Sequence, residues 1–171
     1  MSRIQHSCGL SRRQVGLLVA GAGGLIFMPH RAHAREVEAL ALTCMDYRLI
    51  DDAVRFFDGI HLTNDYDEVS LAGAALAAVS PKFPSSNAAF WDHVVIARQL
   101  HHVKKVVLLD HRDCGAYKVA FGKDYAGEKN AETAQHKTVM LEAQAMLKQK
   151  HPDLASEFYL MALDGKADRI V

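Results

Sequence analysis

Several things are scarce in this sequence, and each scarcity removes a class of protein. There is no internal repeat and no low-complexity linker, which excludes solenoids and repeat arrays. Twenty basic residues face 20 acidic ones and form no basic stripe, so the electrostatic footprint of a nucleic-acid binder is missing. The uncharged segment at residues 15–28 falls short of the roughly 20 apolar residues that a membrane-spanning helix needs. Cysteine is limited to Cys8, Cys44 and Cys114, with no C-x-x-C pair, so neither a disulfide-dense scaffold nor a four-ligand structural zinc module is in view.

What is present begins with a targeting segment. Arg12 and Arg13 precede the short apolar stretch 15–28, which stops at Pro29 and is followed by Ala32, His33 and Ala34. Basic region, short apolar region and small-x-small site are the anatomy of an export signal cleaved after Ala34, in preference to a membrane anchor. Ser11-Arg12-Arg13, with Val15 two residues on, resembles a twin-arginine signal. The expected organisation is therefore a signal peptide at 1–34 and a single domain at 35–171, with a periplasmic or otherwise exported location and no stable membrane anchor after cleavage. All the acidic residues lie in 35–171, whereas Arg3, Arg12, Arg13 and Arg31 lie before it, so the mature domain is net acidic.

Within 35–171, strand-like and helix-like segments alternate. Residues 37–44 ("VEALALTC") and 106–110 are apolar throughout, as strands covered on both faces are. Residues 68–73 read as a shorter strand, and 157–171 as a last strand with an Asp-Gly turn. Leu49, Ala53 and Phe56 or Phe57 recur at helical spacing. A helix over 87–102 carries Phe90, Trp91, Val94 and Val95. A longer one over 130–150 carries Val139, Met140, Ala143, Met146 and Leu147 and stops before Pro152. The pattern predicts an α/β fold with a mostly parallel sheet of four to five strands flanked by helices.

In such a sheet the crevice lies at the carboxyl ends of the strands. Cys44 closes one apolar strand, and His111 and Cys114 follow the other in H-x-x-C spacing. If the two strands are neighbours, two thiolates and an imidazole converge, a set that suits zinc with one position left exchangeable. A disulfide between the two cysteines is the rival reading in an oxidising compartment. Between and after these residues stand Asp46 and Arg48, which in isolation read as a surface ion pair.

The order C-x-D-x-R ("CMDYR"), apolar strand, H-x-x-C-G ("HRDCG") resembles the beta-class carbonic anhydrases. The likeness extends through "FWDHVVIARQLHHVKKVVLLDHRDCGAYK" and the closing "FYLMALDGKADRIV". The resemblance implies a beta-carbonic-anhydrase-like fold, a Zn2+ cofactor held by Cys44, His111 and Cys114, and a catalytic Asp46–Arg48 dyad. The implied reaction is reversible hydration of carbon dioxide to bicarbonate by a zinc-bound hydroxide. Asp46 would accept a hydrogen bond from that hydroxide, and Arg48 would restrain Asp46. It also implies a homodimer or higher homo-oligomer, although the expected mature chain starts almost at its first strand, without the helical arm with which family members embrace a partner. Gly115 would let the backbone approach the site closely, or simply starts a helix.

There are departures from the family pattern. "SLAGA" at 70–74 stands where the family commonly has R-N-A-G-N, Tyr47 where serine or proline is usual, and Asp110 where glycine commonly precedes the histidine. Asp110 is expected either to accept from an imidazole N–H or to cap the strand end. His93, His136 and His151 are expected to be solvated, and His101 and His102 to sit at a helix end. The altered 70–74 segment keeps two alternatives alive: hydrolysis of carbonyl sulfide or carbon disulfide, and a non-catalytic zinc-binding relative. An intact Asp46 and Arg48 speak against the second.

The export signal generates the first prediction. A twin-arginine route carries folded protein, which lets zinc cap both thiolates before they meet oxidants. Changing Arg12→Lys together with Arg13→Lys should strand the precursor in the cytoplasm, as read by cell fractionation and immunoblot. Undiminished export of that variant as an unfolded chain would exclude the route.

Overall fold

The computed structural model describes residues 35–171, and the expected signal peptide lies outside them. A five-stranded sheet forms from β1 (Ala39–Thr43), β2 (Tyr66–Ser70), β3 (Lys105–His111), β4 (Ala155–Met161) and β5 (Ala167–Arg169). The spatial order is β2-β1-β3-β4-β5, with all pairs parallel except β4–β5, which is an antiparallel hairpin turned at Asp164-Gly165. The α/β class and the strand count match the expectation.

The apolar runs of β1 and β3 arise because both faces of the sheet are covered. Side chains alternate between faces, so Ala39, Ala41, Val107 and Leu109 point one way and Leu40, Leu42, Val106 and Leu108 the other. The first face is packed by α1 (Ile50–Gly59), which inserts Ala53 and Phe57. The small alanines of β1 leave room for the Phe57 ring, which stacks at 4.6 Å on Tyr66. The second face is packed by α2 (Ala75–Val79), α3 (Pro84–His101), α4 (Gly115–Phe121) and α5 (Lys129–Lys150).

Four details differ from the sequence reading. β2 lies at Tyr66–Ser70, not 68–73, because after Leu71 donates to Thr43 O the chain turns through Gly73 (φ +80°) and Ala74 (φ +42°) into α2. "SLAGA" is therefore mostly turn. Helix α3 begins at Pro84, with proline in its first turn, where its missing N–H costs nothing. It buries Phe90, Trp91, Val94 and Ala97 but leaves Val95 41% exposed. His136 is only 1% exposed, contrary to the solvated placement expected for it. His101 does end α3 as expected, and there it pairs with Asp67 at 2.7 Å.

The turn at Gly73 is tight as well as left-handed. A Cβ added there would meet Ala116 Cβ at 3.0 Å and Leu76 Cβ at 3.1 Å. Gly73→Ala should therefore lower unfolding stability by about 1–3 kcal/mol, measured by urea titration. An unchanged midpoint would show that the turn relaxes freely.

Candidate metal centre

Three elements deliver the candidate ligands. Cys44 is the first residue after β1, His111 is the last of β3, and Cys114 sits at the start of α4. Because β1 pairs with β3 in parallel, with Thr43 opposite Leu109, these three residues leave the sheet on the same edge. Their ligand atoms lie within 4.8 Å of one another. The two sulfurs are 3.9 Å apart, and the edge of a zinc tetrahedron with Zn–S of about 2.3 Å is about 3.8 Å.

The surroundings fit a metal better than a hydrogen-bonded cluster. His111 is 3% exposed, and its Nδ1 lies 2.7 Å from the Arg112 carbonyl, which accepts from it. That bond fixes the tautomer and turns Nε2 toward the sulfurs, where it is buried without an aligned hydrogen-bond partner. Gly73 N–H donates to Cys44 Sγ at 3.3 Å, the kind of contact that supports a thiolate. Two sulfurs and an orphaned imidazole nitrogen form a donor set that suits zinc.

The sulfurs are electrostatically unequal. The hydrogen bond shared with Cys114, helped by His111 and Gly73 N–H, outweighs burial and lowers the Cys44 thiol. That shared hydrogen bond, burial and the Cys44 charge push Cys114 up in turn. For His111, burial acts downward, but the adjacent Cys44 sulfur and its charge prevail and raise it. A divalent ion would displace the proton of Cys114 on binding.

Asp46 and Arg48 stand at the rim. Arg48 Nε donates to Asp46 Oδ1 at 3.0 Å and Nη2 to Oδ2 at 2.8 Å, a bidentate pair. The Arg48 backbone N–H also donates to Oδ1, at 3.0 Å. These hydrogen bonds hold the Asp46 carboxyl down at about 2. Asp46 Oδ2 lies 3.8 Å from His111 Nε2, so the carboxylate borders the donor cluster. Arg48 then reaches across to Asp113, with Nη1 2.8 Å from Oδ2 and Nη2 3.1 Å from the carbonyl. A cavity of about 240 Å³ opens beside Cys44 and His111, walled by Leu49, Ala53, Val54 and Leu109.

Asp110 does not serve His111. The two are consecutive on β3 and point to opposite faces, so Asp110 turns toward the helices and accepts from Tyr117 Oη (2.6 Å), Ala75 N–H (2.8 Å) and His136 Nδ1 (2.7 Å). It is thus an acceptor for an imidazole, but a different one, and a cap for α2. A Cβ at Gly115 would meet nothing within 4 Å, so this glycine is a helix-start residue and does not mark a close backbone approach. Sequence reasoning missed Asp113, Glu132 and His136. A signal existed for the last two: Glu132, His136, Met140, Ala143 and Leu147 continue the buried stripe of α5 at helical spacing.

A family model described as "Putative carbonic anhydrase" matches residues 34–155. The uncharacterized protein RC0076 of Rickettsia conorii is 36% identical over 141 residues, covering 82% of this chain and 76% of its own length. An uncharacterized protein of Rickettsia bellii is likewise 36% identical over 141 residues, covering 82% of this chain and 86% of its own. In three dimensions the fold is similar to beta-carbonic anhydrase isoform I from Trichomonas vaginalis. The TM-score is 0.53 at 15% identity, covering 81% of this chain and 84% of that one. A five-stranded sheet of the beta-carbonic-anhydrase kind, with a Cys-His-Cys donor set at its strand ends, thus coincides with a family match across most of the chain. The chain belongs to the family described as "Putative carbonic anhydrase".

Proposed function

We propose that the protein catalyses the zinc-dependent, reversible hydration of carbon dioxide to bicarbonate. The observation that carries this reading is the buried, unpartnered His111 Nε2 converging with two sulfurs, beside a carboxylate held at both oxygens by Arg48. Cys44, His111 and Cys114 would hold the ion, which when bound supplies a Lewis acid and a water acidified toward neutrality.

The remaining work falls to the chain's own residues. Asp46 is ionised across any working pH and is therefore an acceptor only. It takes a hydrogen bond from the reacting water and leaves a lone pair directed at the substrate carbon. Arg48 engages both Asp46 oxygens, which keeps the carboxylate from turning inward as a fourth ligand. The apolar wall of Leu49, Ala53 and Leu109 receives a molecule with no net dipole more readily than it receives bicarbonate, and favours product departure. Met45, Tyr47, Ile50 and Val54 are exposed near this mouth, in keeping with a homo-oligomer in which a second copy covers them.

The cavity also supports a second reading. At about 240 Å³ it is several times the roughly 30 Å³ share of a liquid water, so carbonyl sulfide or carbon disulfide is accommodated as easily as carbon dioxide. Parallel turnover assays on the three substrates with zinc-analysed protein decide between them.

The metal reading predicts close to one zinc per chain, with Cys44→Ser, His111→Ala and Cys114→Ser each losing it, as measured by elemental analysis after dialysis. Because thiol and imidazole bind a metal only in their deprotonated forms, zinc affinity should fall as pH falls. Full occupancy in any of the three variants would refute the assignment.

The dyad reading predicts that Arg48→Ala and Asp46→Asn each reduce carbon dioxide hydration by about 10–100-fold with zinc content unchanged. Two thiolates give more charge to the ion than imidazoles do, so activity should be weak in mildly acidic buffer and rise above the value of about 7 typical of all-histidine sites. Asp46 does not produce that rise. Its carboxyl is depressed to about 2 from an unfolded value of about 3.9. The stability it contributes is complete above the higher value and is lost only as pH falls through the lower. Stopped-flow hydration across pH checks both statements, and fully zinc-loaded protein inactive even at alkaline pH would end the carbon dioxide reading.

A further inference from the structure

We propose that Glu132 and His136, one turn apart on the buried face of α5, are positioning residues for the Cys44–His111–Cys114 donor set, each holding from behind one of the two backbone turns that shape it; this rests on the zinc reading above. Neither touches a donor atom. Both sit on a helix face that is otherwise apolar, Glu132 at 7% and His136 at 1% exposure, where a polar group is destabilising unless its partners are in place.

Glu132 holds the H-x-x-C turn. Its Oε1 accepts from Asp113 N–H at 2.6 Å and its Oε2 from Arg112 Nη1 at 2.8 Å, and Arg112 Nη2 continues to Thr133 Oγ1 at 2.9 Å. Arg112 and Asp113 are the two residues between His111 and Cys114, so their backbone sets the spacing of imidazole and sulfur. Asp113 lies at φ +56°, a left-handed conformation that aspartate tolerates better than most residues but that still favours glycine. Glu132 fixes its N–H from inside, while Arg48 fixes its carboxylate and carbonyl from outside.

His136 holds the other turn through one intermediary. Its Nδ1 is 2.7 Å from Asp110 Oδ2, and Asp110 Oδ1 accepts from Ala75 N–H at 2.8 Å. Ala75 follows Gly73 and Ala74, where Ala74 is held at φ +42° and Gly73 N–H points at Cys44 Sγ. The His136 ring also lies 3.8 Å from the Tyr117 ring, whose hydroxyl donates to the same Asp110 carboxylate. Each of the two left-handed non-glycine residues beside the donor set is thus tied to one polar side chain of α5.

The test is zinc affinity of the full chain by chelator competition at fixed pH, alongside far-UV circular dichroism and the thiolate-to-cobalt absorption of cobalt-loaded protein. Glu132→Ala and His136→Ala should bind zinc about 10–100-fold more weakly and shift the cobalt bands. Glu132→Gln keeps an amide oxygen for Asp113 N–H and should recover most of the loss. Val139→Ala, on the same buried face, should lower the melting temperature and leave zinc affinity and the cobalt bands unchanged. Affinities within about threefold of the parent in both alanine variants overturn the proposal. So does a Val139→Ala loss as large as theirs, or a glutamine variant no better than alanine. Should the alanine variants fail to fold, His136→Phe decides, because it keeps the ring and removes the nitrogen: parental affinity and parental cobalt bands overturn the proposal. A parent chain that binds no zinc overturns the metal reading along with it, whereas a parent that binds and variants that bind equally overturn the proposal alone.

Discussion

The parallel pairing of β1 with β3 is the constraint on which the candidate site depends. It places Thr43 opposite Leu109, so the chain leaves β1 at Cys44 beside the point where β3 ends at His111. Nothing in the spacing of Cys44 and Cys114, 70 residues apart, would otherwise bring their sulfurs to 3.9 Å. The pairing in turn requires that both strands be covered on both faces, which is why β1 is apolar up to Thr43 and β3 is apolar between Lys105 and Asp110. The apolar runs and the donor set are therefore parts of one arrangement: the core fixes the register, and the register fixes the ligands.

Arg48 shows how local charge refines what the sheet supplies. It binds two carboxylates, and the two contacts differ in worth. Asp46 is largely shielded and held bidentately, with its carboxyl depressed to about 2. Asp113 is more than half exposed, and pairs of that kind contribute about 0–1 kcal/mol. The outer contact is thus of little consequence for stability. Its effect is geometric, because it joins the turn after β1 to the turn after β3 and adds a second restraint on a left-handed aspartate.

Much of this was legible in the sequence, for stateable reasons. β1 and β3 announce themselves because strands buried on both faces have no polar alternation to confuse with loops. The closing hairpin is marked by Asp164-Gly165, and the long helix by its stripe. Helix α2 was not legible: five residues, three of them alanine, carry no amphipathic signal, and the burial that stabilises them comes from α3 and α5. The burial of His136 was legible, because it continues the stripe of α5, but its partner Asp110 lies 26 positions away and no local pattern reveals a distant acceptor. The faces of Asp110 and His111 were decidable in principle, since consecutive strand residues diverge, and that rule separates an acceptor for His111 from an acceptor for another imidazole.

Two departures from the family pattern that look unrelated along the chain meet in space. One is Asp110, where a glycine commonly precedes the histidine, and the other is "SLAGA" in the segment after β2. The Asp110 carboxylate accepts from Ala75 N–H, the first residue of the helix into which that segment turns. A carboxylate 1% exposed is tolerable only with its oxygens engaged, and here Ala75, Tyr117 and His136 together engage both. A segment bearing polar side chains at 71 and 74 would have to seat them where Leu71 packs against the core and Ala74 is fully buried. With the acid on β3 instead, the polar anchor of this region sits on the rigid central strand, and the turn that approaches Cys44 presents only backbone to it. The side of the site that faces Gly73 is therefore governed by N–H geometry, and the side that faces Asp46 by side-chain charge.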